Sequence, residues 1–269
     1  MVSTRLSHTC WVRTLTKPPF PYYGGKQRIA EKIIATFPTH GHYVEPFAGG
    51  LSVLLAKEKT KHETVNDLDG RLMNFWQVLR DQPEELYAAC FFTPWSKLEL
   101  SNAISSSNSD SNIESARKVW VQLTQGRGAI LSNTGWRFVT DPKSPTSMST
   151  YRDGYVSRLM PAAQRLYGVN LESRDALKVI STYGKAGALL YVDPPYLAET
   201  RSGTGYGVEM AGISEHEELA EALVSTNAFV CLSGYDSPAY ERLYPGWNRV
   251  EIKARANSGS RTEVLWMNY

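Results

Sequence analysis

The chain is poor in cysteine. Three are present in 269 residues, Cys10, Cys90 and Cys231, widely spaced and with no Cys-x-x-Cys pair. That excludes a disulfide framework or a cysteine-based zinc site, and it fits a reducing, intracellular setting. An excess of charge of one sign is also missing. Lys plus Arg number 29 against 27 Asp plus Glu, a net charge of +2. Overall charge therefore names no nucleic-acid partner, though a local basic patch stays open. No apolar run approaches the ~20 residues needed to span a bilayer. The longest, Ala186 to Val192, is strand-length and contains Gly187. Met1 to Thr16 has no apolar stretch of the secretory kind and reads as a loose leader. The five histidines form no His-Glu-x-x-His, and His40 and His42 flank Gly41 in a loop before a strand, so no metal site is expected. What is there is an ordinary globular composition, 42% hydrophobic and 21% charged, sufficient for a sizeable core.

Hydrophobic spacing organises this core. A helical pattern opens at Gly24-Gly25-Lys26, with Ile29, Ile33, Ile34 and Phe37 on one face, and Pro38 ends it. His42 to Pro46 reads as a strand running into the turn Phe47-Ala48-Gly49-Gly50. Ser52 to Lys59 reads as a helix, Glu63 to Asn66 as a second strand, and Arg71 to Leu79 as a further helix. That alternation favours an α/β sheet with right-handed crossovers. From about Phe91 to Pro161 the rhythm stops. Ser101 to Ser111 is rich in Ser and Asn and reads as a solvated loop. A helical pattern returns at Ile113 to Leu123. Between 91 and 165 nine basic residues face five acidic ones, interleaved with aromatics, as a lobe that contacts phosphates and bases would require. An ordinary helical lid fits the same composition.

The alternation then resumes. Ala162 to Tyr167 reads as a helix, Val169 to Ser173 as a strand, Leu177 to Tyr183 as a helix, and Ala188 to Val192 as a central strand buried on both faces. A Gly-rich loop, Leu197 to Gly212, precedes a helix over Ser214 to Leu223, with Ser214 and Glu217 at capping-box spacing. Phe229 to Ser233, Arg249 to Lys253 and Glu263 to Trp266 read as strands, the last two joined by a turn at Asn257-Ser258-Gly259. Tyr240 to Leu243 reads as a short helix.

Three motifs stand at strand ends, where open α/β sheets keep their sites. Val44-Glu45-Pro46-Phe47-Ala48-Gly49-Gly50 combines a glycine turn with a helix N-terminus and suits close approach to a ligand. It is a poor dinucleotide fingerprint, because the third glycine is missing. Asp67 lies 18 residues after Gly49, where a carboxylate can bind ribose hydroxyls; capping the next helix is the alternative, and Asp69 competes for both roles. Asp193-Pro194-Pro195-Tyr196 sets a carboxylate and carbonyls in a stiff turn beside an aromatic ring. Such acceptors suit the exocyclic amino group of a flat base.

Together these segments resemble the Dam-like, site-specific DNA adenine N6-methyltransferases that use S-adenosylmethionine. The resemblance spans roughly Pro19 to Tyr269. It rests on Tyr22-Tyr23-Gly24-Gly25-Lys26, the Glu45 to Gly50 turn, Asn66-Asp67, Glu172-Ser173-Arg174-Asp175, Tyr191 to Tyr196, and Leu232-Ser233-Gly234-Tyr235-Asp236. One departure is that Leu51 occupies the last position of the family's Phe-x-Gly-x-Gly. The resemblance implies a Rossmann-like methyltransferase sheet over 17–90 and 161–269, with an inserted, mainly helical target-recognition domain at 91–160. It implies a cofactor site of Tyr23, Gly24, Gly25, Lys26, Glu45, Pro46, Phe47, Ala48, Gly49, Gly50, Asp67, Asp175 and Asp193. Lys26 would take the cofactor carboxylate, Asp67 its ribose and Asp175 its adenine amino group. Asp193, Pro194, Pro195 and Tyr196 would hold the flipped target adenine, with Tyr196 stacking on it. Arg127, Arg137 and Arg152 are candidate contacts to double-stranded DNA. The expected setting is cytoplasmic, with no metal and no membrane, and a monomer is taken as the default assembly. The competing readings are an RNA adenine methyltransferase and an inactive DNA-binding homologue.

Overall fold

The computed structural model describes residues 15–105, 110–196, 210, 212–234, 236–256 and 259–269, with the backbone alone at 254–256 and 259–261. Most of the leader, part of the Ser-rich stretch, most of the Gly-rich loop after Tyr196, Tyr235 and the Asn257-Ser258 turn lie outside the described residues.

The chain alternates strands and helices as its spacing predicts. In order come α1 (Ala30–Ile34), β1 (His42–Glu45), α2 (Ser52–Ala56), β2 (His62–Asn66), α3 (Gly70–Asp81), α4 (Pro83–Phe91), α5 (Lys97–Ile104), α6 (Asn112–Gln125), α7 (Met148–Val156) and α8 (Leu159–Leu166). Then follow β3 (Asn170–Glu172), α9 (Ala176–Tyr183), β4 (Ala188–Val192), α10 (Ile213–Val224), β5 (Phe229–Gly234), α11 (Pro238–Leu243), β6 (Asn248–Ala256) and β7 (Gly259–Met267). The strands form one sheet in the order β3-β2-β1-β4-β5-β7-β6. All neighbours pair in parallel except β7, which runs antiparallel to both β5 and β6. The order reverses between β1 and β4, the crevice where ligands bind in such sheets.

Strand β4 shows why the sheet is central. Every residue is buried. Leu189 and Tyr191 enter a core shared with α1 to α8, while Ala188, Leu190 and Val192 enter one shared with α9, α10 and α11. Alternation thus splits one apolar run between two cores. Leu72, Phe75, Trp76 and Leu79, at helical spacing, bury the inner face of α3. Asp69 starts that helix by accepting the Arg71 amide.

Several boundaries differ from expectation. The first helix is shorter, because Lys26 to Ile29 form turns; the Ile29 amide donates to the Lys26 carbonyl. Helix α2 ends at Ala56, where Lys57 turns extended and its ammonium reaches Glu63 at 2.8 Å. Ser101 to Ile104 belong to α5 rather than to a loop. Ser96 caps that helix, and Leu100 and Ala103 bury its inner face. Helix α10 begins at Ile213, so Ser214 is not its cap. Glu215, not Glu217, reaches back to the Gly212 amide at 2.8 Å.

The middle third packs on the sheet's first face rather than standing apart. Helix α6 buries Ala116, Val119, Trp120 and Leu123 in the same core as α3. The Trp120 indole donates to the Pro19 carbonyl at 2.9 Å. Residues 126–147 lie between α6 and α7, and Gly126 bridges Trp136 across their base.

Candidate active site

The ends of β1, β2 and β4 converge on one cavity of about 280 Å³. Asn66, the last residue of β2, ties its rim together. Its side-chain amide donates to the Pro46 and Arg174 carbonyls and accepts from the Arg174 amide, each at 2.9 Å. A buried amide with its partners met in this way fixes three loops at once.

The glycine turn after β1 is held tightly. Gly49 has a φ of +47°, and Leu51 follows at +51°. Leu51 stands where the family pattern has glycine, and it adopts the left-handed backbone that glycine favours. Its side chain is fully buried in the core, which offsets the strain. The Tyr22 segment lies directly against this turn. A Cβ on Gly50 would come within 2.8 Å of the Tyr22 Cβ, and one on Gly25 within 2.9 Å of the Tyr22 carbonyl oxygen. Only glycine allows that approach.

Glu45 is buried beneath the turn. Its Oε1 accepts from the Tyr43 hydroxyl at 2.7 Å and the Leu54 amide at 2.8 Å, which places a carboxyl at the start of α2. Burial, opposed by these two hydrogen bonds, pushes its pKa up to about 8. Asp67 accepts from the Gly49 amide at 2.9 Å and the Asp69 amide at 3.0 Å. Burial raises its carboxyl too, against the backbone donors. Asp69 is therefore the helix cap and Asp67 the residue that braces the glycine turn. Asp175 caps α9, accepting from the amides of Leu177 and Lys178.

Every predicted cofactor residue lines this cavity: Tyr23 to Lys26, Glu45 to Gly50, Asp67, Asp175 and Asp193. Pro195 lines it as well. The roles of two residues look different in place. The Lys26 ammonium lies 2.8 Å from both Asp193 oxygens, not apart from them as a cofactor-carboxylate ligand would. It also sits 4.9 Å above the Tyr196 ring. Tyr196 is 5% exposed, so this ring presents no open stacking face. Its hydroxyl donates to Asp193 at 2.9 Å and also bonds Glu263.

Sequence reasoning gave no role to Glu263, Ser233 or Tyr22, although Tyr22 and Ser233 stand in motifs it singled out. A glutamate at the head of the apolar run Val264-Leu265-Trp266 was the available signal for the first.

The candidate DNA contacts gather less closely. The Arg127 guanidinium lies 5.1 Å from the Phe138 ring, and Phe138 stacks on Trp136 at 5.5 Å. Phe138 is 47% exposed. Arg137 lies 5.1 Å from Tyr151, partly buried. Arg152 pairs with Asp153 at 2.9 Å. Much of the middle third's basic charge is spent internally. Arg117 pairs with Glu99 and Glu114, and Lys118 with Asp110. Arg165 is buried against Glu63 at 2.6 Å. The Tyr23 amide donates to the Ala129 carbonyl at 2.9 Å, which brings this loop to the cavity rim.

Among the described residues no cluster of His, Cys, Asp and Glu could hold a metal, and no helix is long and apolar enough to cross a membrane.

Residues 22–120 match the model of the D12 class N6 adenine-specific DNA methyltransferase family. The chain is 25% identical to the Type II methyltransferase M1.LlaDCHI of Lactococcus lactis subsp. cremoris, over 94% of this chain and 95% of that protein. Solved structures are more distant. A SAM-dependent methyltransferase from Agrobacterium tumefaciens aligns with a TM-score of 0.39 and 11% identity, over 90% of this chain and 59% of that one. Precorrin 8w decarboxylase of Methanobacterium thermoautotrophicum aligns with a TM-score of 0.37 and 9% identity, over 95% of each chain.

Proposed function

We propose, from the premise that this chain is an adenine-specific DNA methyltransferase of the D12 class, that it moves the methyl of S-adenosylmethionine to N6 of an adenine flipped out of double-stranded DNA. The observation that carries the reading is the shared cavity. The glycine turn, Asp67 and Asp193 stand at three adjacent strand ends and open on one space.

The cavity fits the cofactor. Acidic side chains, among them Asp67, Asp69, Asp175 and Asp193, outnumber the basic Lys26 and Arg174 on its wall, as a cationic ligand requires. Asp67 would hold the ribose hydroxyls and Asp175 the adenine amino group, beside the apolar Phe47 and Leu177. Bound there, S-adenosylmethionine supplies an electrophilic methyl on sulfur.

Asp193 and the Pro194 carbonyl do the rest. The exocyclic nitrogen of adenine is a weak nucleophile, because its lone pair is delocalised into the ring. Accepting its two hydrogens favours a pyramidal nitrogen whose lone pair points at the methyl. With the cofactor held there, its methyl would pass from sulfur to this nitrogen, and Asp193 would take the surplus proton on nitrogen and pass it to solvent. Asp193 is already held by Lys26 and Tyr196, so the incoming amino group takes over a preset acceptor. Extruding the base costs a few kcal/mol, which contacts in the pocket must offset. The segment 91–160 is the proposed recognition insertion. Within it Arg127, whose Nε donates to the Trp136 carbonyl at 3.1 Å, lies beside the exposed Phe138 and is the best placed of the candidate DNA contacts; Arg137 and Arg152 are likewise engaged within the chain.

The test is modification sequencing of DNA from a methylation-free host expressing the chain. N6-methyladenine in a fixed short sequence is expected, and it should vanish with Asp193→Asn while cofactor binding persists. Unmodified DNA from a folded, cofactor-binding protein would overturn the DNA reading, and RNA from the same cells would then be examined. Normal turnover in Asp193→Asn would remove Asp193 from the chemistry.

A further inference from the structure

Behind Asp193 lies a second carboxylate that the cofactor and target-base roles leave unused. Glu263 projects from β7, two strands away from β4. It is 8% exposed. Its Oε1 accepts from the Ser233 hydroxyl of β5 at 2.5 Å and from the Tyr196 hydroxyl. The Lys26 ammonium lies 3.8 Å away, against 2.8 Å to Asp193. Lys26 thus stands between two carboxylates and is bonded to one.

Hydrogen-bond arithmetic gives this arrangement a direction. The Tyr196 hydroxyl has one hydrogen and two carboxylates in reach, Asp193 and Glu263, with the Ser233 hydroxyl at 3.3 Å as a third neighbour. When the hydrogen goes to Glu263, Asp193 Oδ1 loses one of its donors and keeps the Lys26 ammonium. Lys26 presents the same choice with its charge. An amino group entering the Asp193 site competes with the ammonium there. A buried ammonium that loses its counter-charge is costly, unless a second carboxylate takes it up.

We propose that Glu263 is a positioning residue for methyl transfer. It draws the Tyr196 hydroxyl and receives the Lys26 ammonium, so that Asp193 is free to accept the amino group of the target base. This inference rests on the methyltransferase reading above. The other ionisable groups facing Glu263 are Tyr191 on β4 and Tyr240 on α11. Burial raises the Glu263 carboxyl and Lys26 opposes that rise.

The test compares wild type, Glu263→Gln and the double variant Lys26→Met/Glu263→Gln by steady-state methylation of DNA, with the cofactor Kd from calorimetry. Glutamine keeps the shape and loses the charge. Glu263→Gln is expected to lower kcat about tenfold or more and leave the cofactor Kd within about twofold. The double variant should be no slower than Glu263→Gln, because without the ammonium no counter-charge is needed. Ser233→Ala, which loosens Glu263 without changing its charge, covers the case in which glutamine does not fold. It should lower kcat by a smaller factor with Kd unchanged. Equal kcat in wild type and a folded Glu263→Gln overturns the inference, as does a loss confined to cofactor Kd. The underlying reading fails separately, when wild type itself leaves adenine in DNA unmodified.

Discussion

Replacing Glu45 with glutamine should make the fold less sensitive to alkali. Burial pushes this carboxyl from an ordinary 4.5 up to about 8. The folded chain therefore keeps a proton that the unfolded chain has released, throughout the interval between those values. A group raised in this way contributes its stability in full below its unfolded value. That contribution is lost as pH rises through about 8. At about 1.4 kcal/mol per tenfold, the whole interval corresponds to about 5 kcal/mol. This is a ceiling, because water entry and local relaxation soften the cost of ionising a buried acid; about 2 kcal/mol is the expected effect. Glutamine keeps an acceptor for the Tyr43 hydroxyl and the Leu54 amide but cannot ionise. Urea unfolding of both proteins on either side of the titration measures the difference. The wild type should lose about 1 kcal/mol more than Glu45→Gln between about pH 6 and pH 9, the part of the interval that lies above about pH 6. The same pH dependence in both proteins would refute a protonated Glu45.

Two further outcomes check the site from other directions. Asp67→Asn should weaken cofactor binding about tenfold by calorimetry, since a carboxylate pairs with ribose hydroxyls better than an amide does; an unchanged affinity removes the ribose role. Arg127→Ala should lower the slope of log affinity for DNA against log salt by about one phosphate contact, and an unchanged slope places Arg127 off the DNA.

The α/β rhythm was legible because the strands stop at polar or turn-forming residues. Val44-Glu45-Pro46, Asn66-Asp67 and Val192-Asp193-Pro194 all announce themselves in this way, and the strands they end fall at His42–Glu45, His62–Asn66 and Ala188–Val192. Helices α4 and α5 were not legible. Leu86 and Cys90, and Leu100 and Ala103, are two buried residues per helix, too few to set a period.

Local chemistry in the chain determined which residues could meet a ligand. Glycine at a turn, aspartate after a strand and proline beside a carbonyl act within a few residues of themselves, so their types and spacing carried the cofactor cavity. Only the tertiary structure decided their partners. Lys26 and Asp193 are 167 positions apart, and Glu263 reaches Tyr196 across 67. No local preference joins them. The strand order does, by folding β7 back beside β5 and setting β4 between β1 and β5. A lysine with the look of a cofactor ligand became the counter-charge of the proposed catalytic aspartate.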